Sequence, residues 1–170
     1  MTDTDDRSAF AARVTTATDR FVASLLEVPA DRWSSPPSAG RWSAAEIVEH
    51  VALADLGIAR WLTSGLEPLT VEPTVLDDEI PYLFYRGDEP PNVASPTGSW
   101  TDRDEAIGRL REAADAIVDW VRSSDVDLRR HGAPHPVFGS MDAAQWVLFA
   151  VAHTERHRAQ LFALTNTAAR

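Results

Sequence analysis

The chain has 170 residues, a hydrophobic fraction of 44% and a formal net charge of −10, which suits one soluble domain with a sizeable core. That charge excludes a general nucleic-acid binder, which would carry a basic stripe, and it offers no attraction to an anionic membrane surface. There is no cysteine, so disulfides, thiolate metal sites and cysteine nucleophiles are excluded as well.

A single domain spanning 1–170 is expected, with residues 1–7 as a polar, flexible start that lacks the pattern of a signal peptide. The first helix is predicted from Ser8 to Val28. Phe10, Val14, Ala17, Phe21, Leu25 and Val28 recur there at three and four residues, the seam of a packed helix, and Pro29 ends it. The second helix runs from Ser43 to about Thr63. Ser43 and Glu46 form a capping-box pair at its start, and Ile47, Val51, Ala54, Ile58 and Trp61 or Leu62 form its stripe. His50 lies at the edge of that stripe. The third helix, from Thr101 to about Arg122, opens with Thr101 and Asp104 as its capping pair and carries Ile107, Leu110, Ala114, Ile117 and Val121 on one face. The fourth, from Ser140 to about Leu164, is apolar over a wide arc, as befits a helix inside a bundle. Phe138 is read as its staple and Ser140 as its cap. No stretch approaches the ~18 apolar residues of a membrane span, and a cytoplasmic protein is the expectation.

The connection from Gly65 to Gly98 exceeds thirty residues and holds six prolines. A link this long can cross the whole bundle and lets the second and third helices run parallel. It is also longer than idle connections usually are. Leu76 to Tyr85 is too apolar for a free linker and is expected to pack across one end of the bundle, as a short helix or a lid.

Five histidines are present. His153 and His157, at i and i+4 on a helix, share one face. Two imidazoles so placed can converge on one ion, and zinc accepts such nitrogens at ~2.0–2.1 Å in tetrahedral geometry. His50, inside an apolar helix, is the natural third ligand. Taken one at a time, each histidine is more often a half-buried, hydrogen-bonded side chain than a ligand. No glutamate follows His153 directly, so the zinc-protease pattern is absent. Glu155 points away from the pair, toward Arg156 or Arg158 or a supporting role. Gln160 approaches the pocket from one turn below His157. His131 and His135 lie in a proline-rich loop and are read as structural or solvated. Trp146 is placed to wall the pocket, and Tyr82 or Tyr85 to supply a hydroxyl above it.

At these residues the chain resembles the DinB-like (DinB/YfiT-like) metalloenzyme superfamily. Three stretches carry the likeness: Trp42 to Val51, which ends around the first histidine; His135 to Met141, the lead into the last helix; and Gln145-Trp146 followed by Phe149, His153, Arg156, His157 and Gln160. The resemblance implies an all-α four-helix bundle in up-down-down-up order. It implies one divalent ion, zinc or nickel, on His50, His153 and His157 with solvent completing the shell. Homodimers are common in that family, and characterised relatives include transferases and an isomerase that use mycothiol or bacillithiol. The Ala-, Arg- and Asp-rich composition resembles that of high-GC actinobacteria, where mycothiol is the available thiol.

Three functions compete on this reading. The first is a thiol-dependent S-transferase acting on a small electrophile. The second is a metal-assisted hydrolase, which needs no thiol. The third is a structural or ligand-binding bundle whose ion, if any, only braces the core. The partner in the first two is a small molecule rather than nucleic acid or membrane, and whether the chain is an enzyme stays open.

Overall fold

The four apolar stripes are realised as four long helices. The structure, a computed structural model, describes residues 3–85 and 94–166. Helix α1 spans Asp3–Leu26, α2 Ala44–Ser64, α3 Arg103–Ser123 and α4 Ala143–Asn166, with short 3-10 turns at Ala30–Arg32 and Ile80–Tyr85. The closely packed pairs are α1 with α3, α1 with α4, α2 with α3 and α2 with α4. The helices α1 and α2 therefore stand at opposite corners.

Two core clusters define the direction of each helix. One gathers Ala11 and Val14 of α1, Ile58 and Leu62 of α2, Ile117 and Val121 of α3, and Ala144 and Val147 of α4. The other gathers Phe21 and Leu25, Ile47 and Val51, Ala106 and Leu110, and Leu161 and Leu164. The first end thus holds the start of α1 and α4 and the finish of α2 and α3. The order is up-down-down-up, and the long connection carries the chain from one end of the bundle to the other. Among the described residues, no helix is long and apolar enough to cross a membrane.

The ends of the helices show where local sequence signals compete. The Ser43–Glu46 capping box of α2 forms as expected: Ser43 Oγ accepts from the Glu46 N–H at 3.3 Å, and Glu46 Oε2 accepts from the Ser43 N–H at 2.8 Å. On α3 the cap moves one residue along. Asp102, not Thr101, accepts from the Glu105 N–H, at 2.8 Å. Helix α1 begins at Asp3, five residues ahead of the predicted start. Arg7, assigned to the flexible start, is buried, and its guanidinium donates to the carbonyls of Val121, in the last turn of α3, and Val126, just beyond it. The Val121 carbonyl is among the last four of the helix, which lack a partner within it, so a cation there supplies a cap and fixes the first turns of α1. Met1 and Thr2 lie outside the described residues.

The lead into α4 departs most from expectation. Strand β2, His131–His135, pairs antiparallel with β3, Gly139–Asp142, and a short β1, Glu67–Pro68, pairs with β2 on its other side. Ser140 is therefore a strand residue. The cap of α4 is Asp142, whose Oδ1 accepts from the Gln145 N–H at 2.7 Å, while Gln145 Oε1 accepts from the Asp142 N–H at 3.1 Å. This reciprocal pair satisfies two donors at once. Phe138 is buried and stacks on the His135 ring instead of stapling a cap at Ser140. At Gly139 the backbone takes φ 76°, and a Cβ there would sit 2.7 Å from Thr74 Oγ1, which meets both needs only as glycine.

The first half of the long connection is built into this end of the bundle. Val75, Ile80 and Leu83 enter the core, and the 3-10 turn packs on α4. Gln145 Nε2 donates to the Val75 carbonyl at 2.7 Å. Arg129 spans Asp77 and Asp142, with 2.6 Å to the first and 3.0 Å to the second. The guanidinium holds the Asp77 carboxyl below its usual range, whereas burial raises that of Asp142. One cation thus ties the connection, the hairpin approach and the cap of α4. Arg129→Ala is expected to lower stability by about 1–3 kcal/mol, because the nearly buried Asp142 carboxylate keeps its desolvation penalty after losing its cation. A lower urea midpoint at an unchanged slope is the measurement, and an unchanged midpoint would refute the role.

Candidate metal centre

The three histidines singled out by the sequence meet between α2 and α4. His50 Nε2 lies 3.1 Å from His153 Nε2, and His157 Nε2 lies 3.1 Å from the same atom. One nitrogen from each ring falls within 4.8 Å of the other two. The helical phase of α4 brings His153 and His157 together, with ring centroids 4.5 Å apart. The antiparallel packing of α2 on α4 supplies His50, which sits half-buried where the stripe of α2 ends. Both α4 histidines are buried.

Hydrogen bonds on the far side of two rings settle which nitrogen carries the proton. His50 Nδ1 is 2.7 Å from the Ala94 carbonyl oxygen, and His157 Nδ1 is 2.9 Å from Gln160 Oε1. Both oxygens only accept, so both Nδ1 atoms donate. The rings are neutral. Burial lowers the His50 pKa, aided by the Arg156 guanidinium and opposed by the bond to Ala94. Burial, His157, His50 and Arg156 together hold His153 well below its usual value. Burial, with His50, brings His157 down to about 3. A neutral imidazole protonated on Nδ1 has a lone pair on Nε2. Two lone pairs therefore converge on His153 Nε2, which has at most one proton to offer them.

That donor set fits a divalent metal ion. A cation among the three Nε2 atoms satisfies every lone pair at once. Tetrahedral ligation at ~2.0–2.1 Å sets nitrogens ~3.3 Å apart, close to the two separations of 3.1 Å. The Nδ1 bonds to Ala94 and Gln160 are the kind of outer contact that fixes ring orientation in metal-ligating histidines. The expected supporting place of Gln160 is thus the observed one.

Other candidates lie elsewhere. Glu155 pairs with Arg158 at 2.7 Å and Arg20 at 3.6 Å, on the surface. Trp146 does not wall the cluster: it stacks on Trp61, packs tilted against His135 and donates to the Ala133 carbonyl at 3.0 Å. The wall is Trp42, 4.6 Å from His50 and 6.2 Å from His157 between ring centroids, with Phe149 stacked on His153 at 6.1 Å. Tyr82 is 66% exposed in the 3-10 turn, which packs with the end of the bundle away from Leu161, and the side chain of Tyr85 lies outside the described residues. His135 is buried, not solvated. Its Nδ1 accepts from the Val137 and Phe138 N–H groups, and burial lowers its pKa to about 4. It shapes the hairpin and takes no part in the cluster.

The sequence reading missed Glu49. This carboxylate, 1% exposed, accepts from the Thr97 N–H at 2.9 Å, the Thr97 hydroxyl at 2.6 Å and the Gly98 N–H at 3.0 Å. The signal was present, since Ala45 and Ala52 flank Glu49 on its own face at i−4 and i+3. Two small neighbours leave the space into which another segment folds.

Comparison with known proteins agrees with this architecture. The crystal structure of TT2238, a four-helix bundle protein, is 22% identical and superposes with a TM-score of 0.61 over 92% of this chain and 98% of that one. No curated protein matches the chain. Residues 13–161, which include all three clustered histidines, match the family described as the DinB superfamily, and the chain belongs to that superfamily.

Proposed function

We propose that the protein holds one divalent ion, zinc or nickel, on the Nε2 atoms of His50, His153 and His157, and that it acts as a thiol-dependent S-transferase on a small electrophile, with mycothiol as the thiol. The observation that carries this reading is the convergence of three neutral imidazole nitrogens, two with their lone pairs fixed inward. When bound, such an ion would hold a coordinated thiol as thiolate at neutral pH, or lower the pKa of a coordinated water to ~7. The remaining work falls to the chain. Ala94 and Gln160 hold two rings in the ligating tautomer. Trp42 and Phe149 keep water from the sides of the cluster. His50, the least buried of the three, marks the open side at which a substrate enters. Among the described residues, the grouped ligands are three imidazoles, which leaves room for an exchangeable fourth ligand as in catalytic sites.

The test is metal analysis of protein purified without a His-tag, followed by assays on electrophile and ester panels with and without mycothiol. One equivalent of metal and conversion that depends on thiol are expected. Metal-dependent ester cleavage indifferent to thiol would replace the transferase with a hydrolase. Metal-free protein that does not take up added zinc or nickel would overturn both.

A further inference from the structure

Buried carboxylates that serve no reaction are rare, because their desolvation must be offset by several donors. Glu49 is such a group. It directly precedes His50 yet projects about 100° away from it around α2, so it does not join the three-histidine cluster. Instead it gathers three donors from Thr97 and Gly98, at 2.6–3.0 Å. These belong to the returning arm of the long connection, 48 and 49 residues away in sequence. Three residues before Thr97, the same arm presents the Ala94 carbonyl, 2.7 Å from His50 Nδ1. Thr97 in turn bonds to Ser99 through its hydroxyl, so the arm is internally braced.

We propose that Glu49 is a positioning residue for His50. It latches the returning arm to α2, and the latched arm holds the Ala94 carbonyl where it selects the Nδ1–H tautomer of His50. Adjacent residues on one turn thus divide the labour: Glu49 grips the connection, and the connection orients His50. The consequence for metal affinity rests on the proposed function; the consequence for the tautomer does not.

The deciding variant is Glu49→Gln. The amide keeps shape and volume, but one of its two heads becomes a donor. It must then face an N–H of Thr97 or Gly98, and part of the latch opens. Two readouts apply. In metal-free protein, two-bond proton–nitrogen NMR of the imidazoles reports the tautomer of His50. Wild type is expected to show the Nδ1–H form alone, and Glu49→Gln a mixture of both. In a cobalt(II) titration, the variant is expected to bind about tenfold more weakly, the low end of what partners of metal-ligating histidines contribute, with a changed visible absorption spectrum. Should Glu49→Gln not fold, Thr97→Val, which removes the hydroxyl's bonds to Glu49 and Ser99 but keeps both N–H donors to Glu49, decides in the same sense with a smaller change. A pure Nδ1–H tautomer and unaltered cobalt affinity in the folded variant would overturn the proposal. If wild type itself binds no cobalt, the metal reading fails, and the tautomer measurement still decides whether Glu49 positions His50.

Discussion

Replacing His153 with alanine is expected to weaken binding of zinc or nickel by at least ~100-fold. Zinc sites with four protein ligands reach ~10–16 kcal/mol of apparent binding energy, so each ligand carries roughly 3 kcal/mol, and 1.4 kcal/mol is a factor of ten in dissociation constant. His153 is the severest of the three losses because its Nε2 is the atom 3.1 Å from both others. Without it, His50 and His157, with ring centroids 4.7 Å apart, are left as a two-nitrogen site. The effect is visible without an activity assay. A ligand at one hundred times its dissociation constant stabilises the folded state by ~2.7 kcal/mol. For a domain of this size 1 kcal/mol moves Tm by ~2–4 °C. Wild type freed of metal is therefore expected to gain ~5–10 °C on addition of zinc at that ratio, and His153→Ala, at the same zinc concentration, to gain about 1 °C or less. An equal shift in both would remove the histidines from the site.

The second large effect is on pH dependence, and it comes from Asp55. This residue of α2 is 2% exposed, and its Oδ1 has no hydrogen-bond partner. Burial raises its pKa from 3.8 to about 8. Because the folded value lies above the unfolded one, the folded state favours the protonated acid. The contribution to stability is complete below about pH 4 and is lost progressively as pH rises to about 8, beyond which the loss is constant. A shift of this size corresponds to a total on the order of 5 kcal/mol. The buried histidines act in the opposite sense. Their folded pKa values are lowered, so they support the fold above pH ~6.5 and withdraw that support as pH falls through the folded values, about 4 for His135 and about 3 for His157. Wild-type stability is thus expected to peak on the acid side of neutrality. Asp55→Asn removes the titrating group and leaves the histidines. Urea unfolding is expected to show a gain of a few kcal/mol over wild type at pH 8 that shrinks steadily as pH falls and disappears near pH 4, while the variant, left with the histidines, loses stability only as pH falls below about 7. A variant that tracks the wild-type slope across that range would place the ionisation elsewhere.

Much of the bundle was legible because it is written in helical phase. The stripes Val14–Ala17–Phe21–Leu25 and Ile107–Leu110–Ala114–Ile117–Val121 repeat often enough to be unambiguous, and the i, i+4 spacing of His153 and His157 needs only that α4 be a helix. The relation of His50 to them is not local. It depends on which corner α2 occupies, and the family likeness supplied what the phase could not. The hairpin before α4 was obscured for the opposite reason. Its strands are five and four residues long, too short for alternation to register, and Gly132, Pro134 and Pro136 read as loop. Ser140 and Asp142 are both acceptable caps, and only the pairing of β3 with β2 decides between them. Glu49 and Asp55 were missed because single-sequence phase treats a charged residue as the edge of a stripe. Glu49 is buried by a segment that returns from far along the chain, and Asp55 simply lies within the arc that faces the bundle.

The distance along the chain between His50 and His153 has a bearing on how the molecule assembles. The contact joins residues 103 apart, whereas the turns of each helix join residues three or four apart. Closing a loop of that length carries an entropic penalty that grows as (3/2)RT ln n and is recovered only when α2 and α4 dock. Assembly of the histidine cluster therefore waits on that docking. An ion held there acts as a late clasp. If the proposed ion binds, it would slow escape from the native state while leaving the rate of folding nearly unchanged, and the lifetime of the folded protein, more than its yield on refolding, would follow the supply of metal.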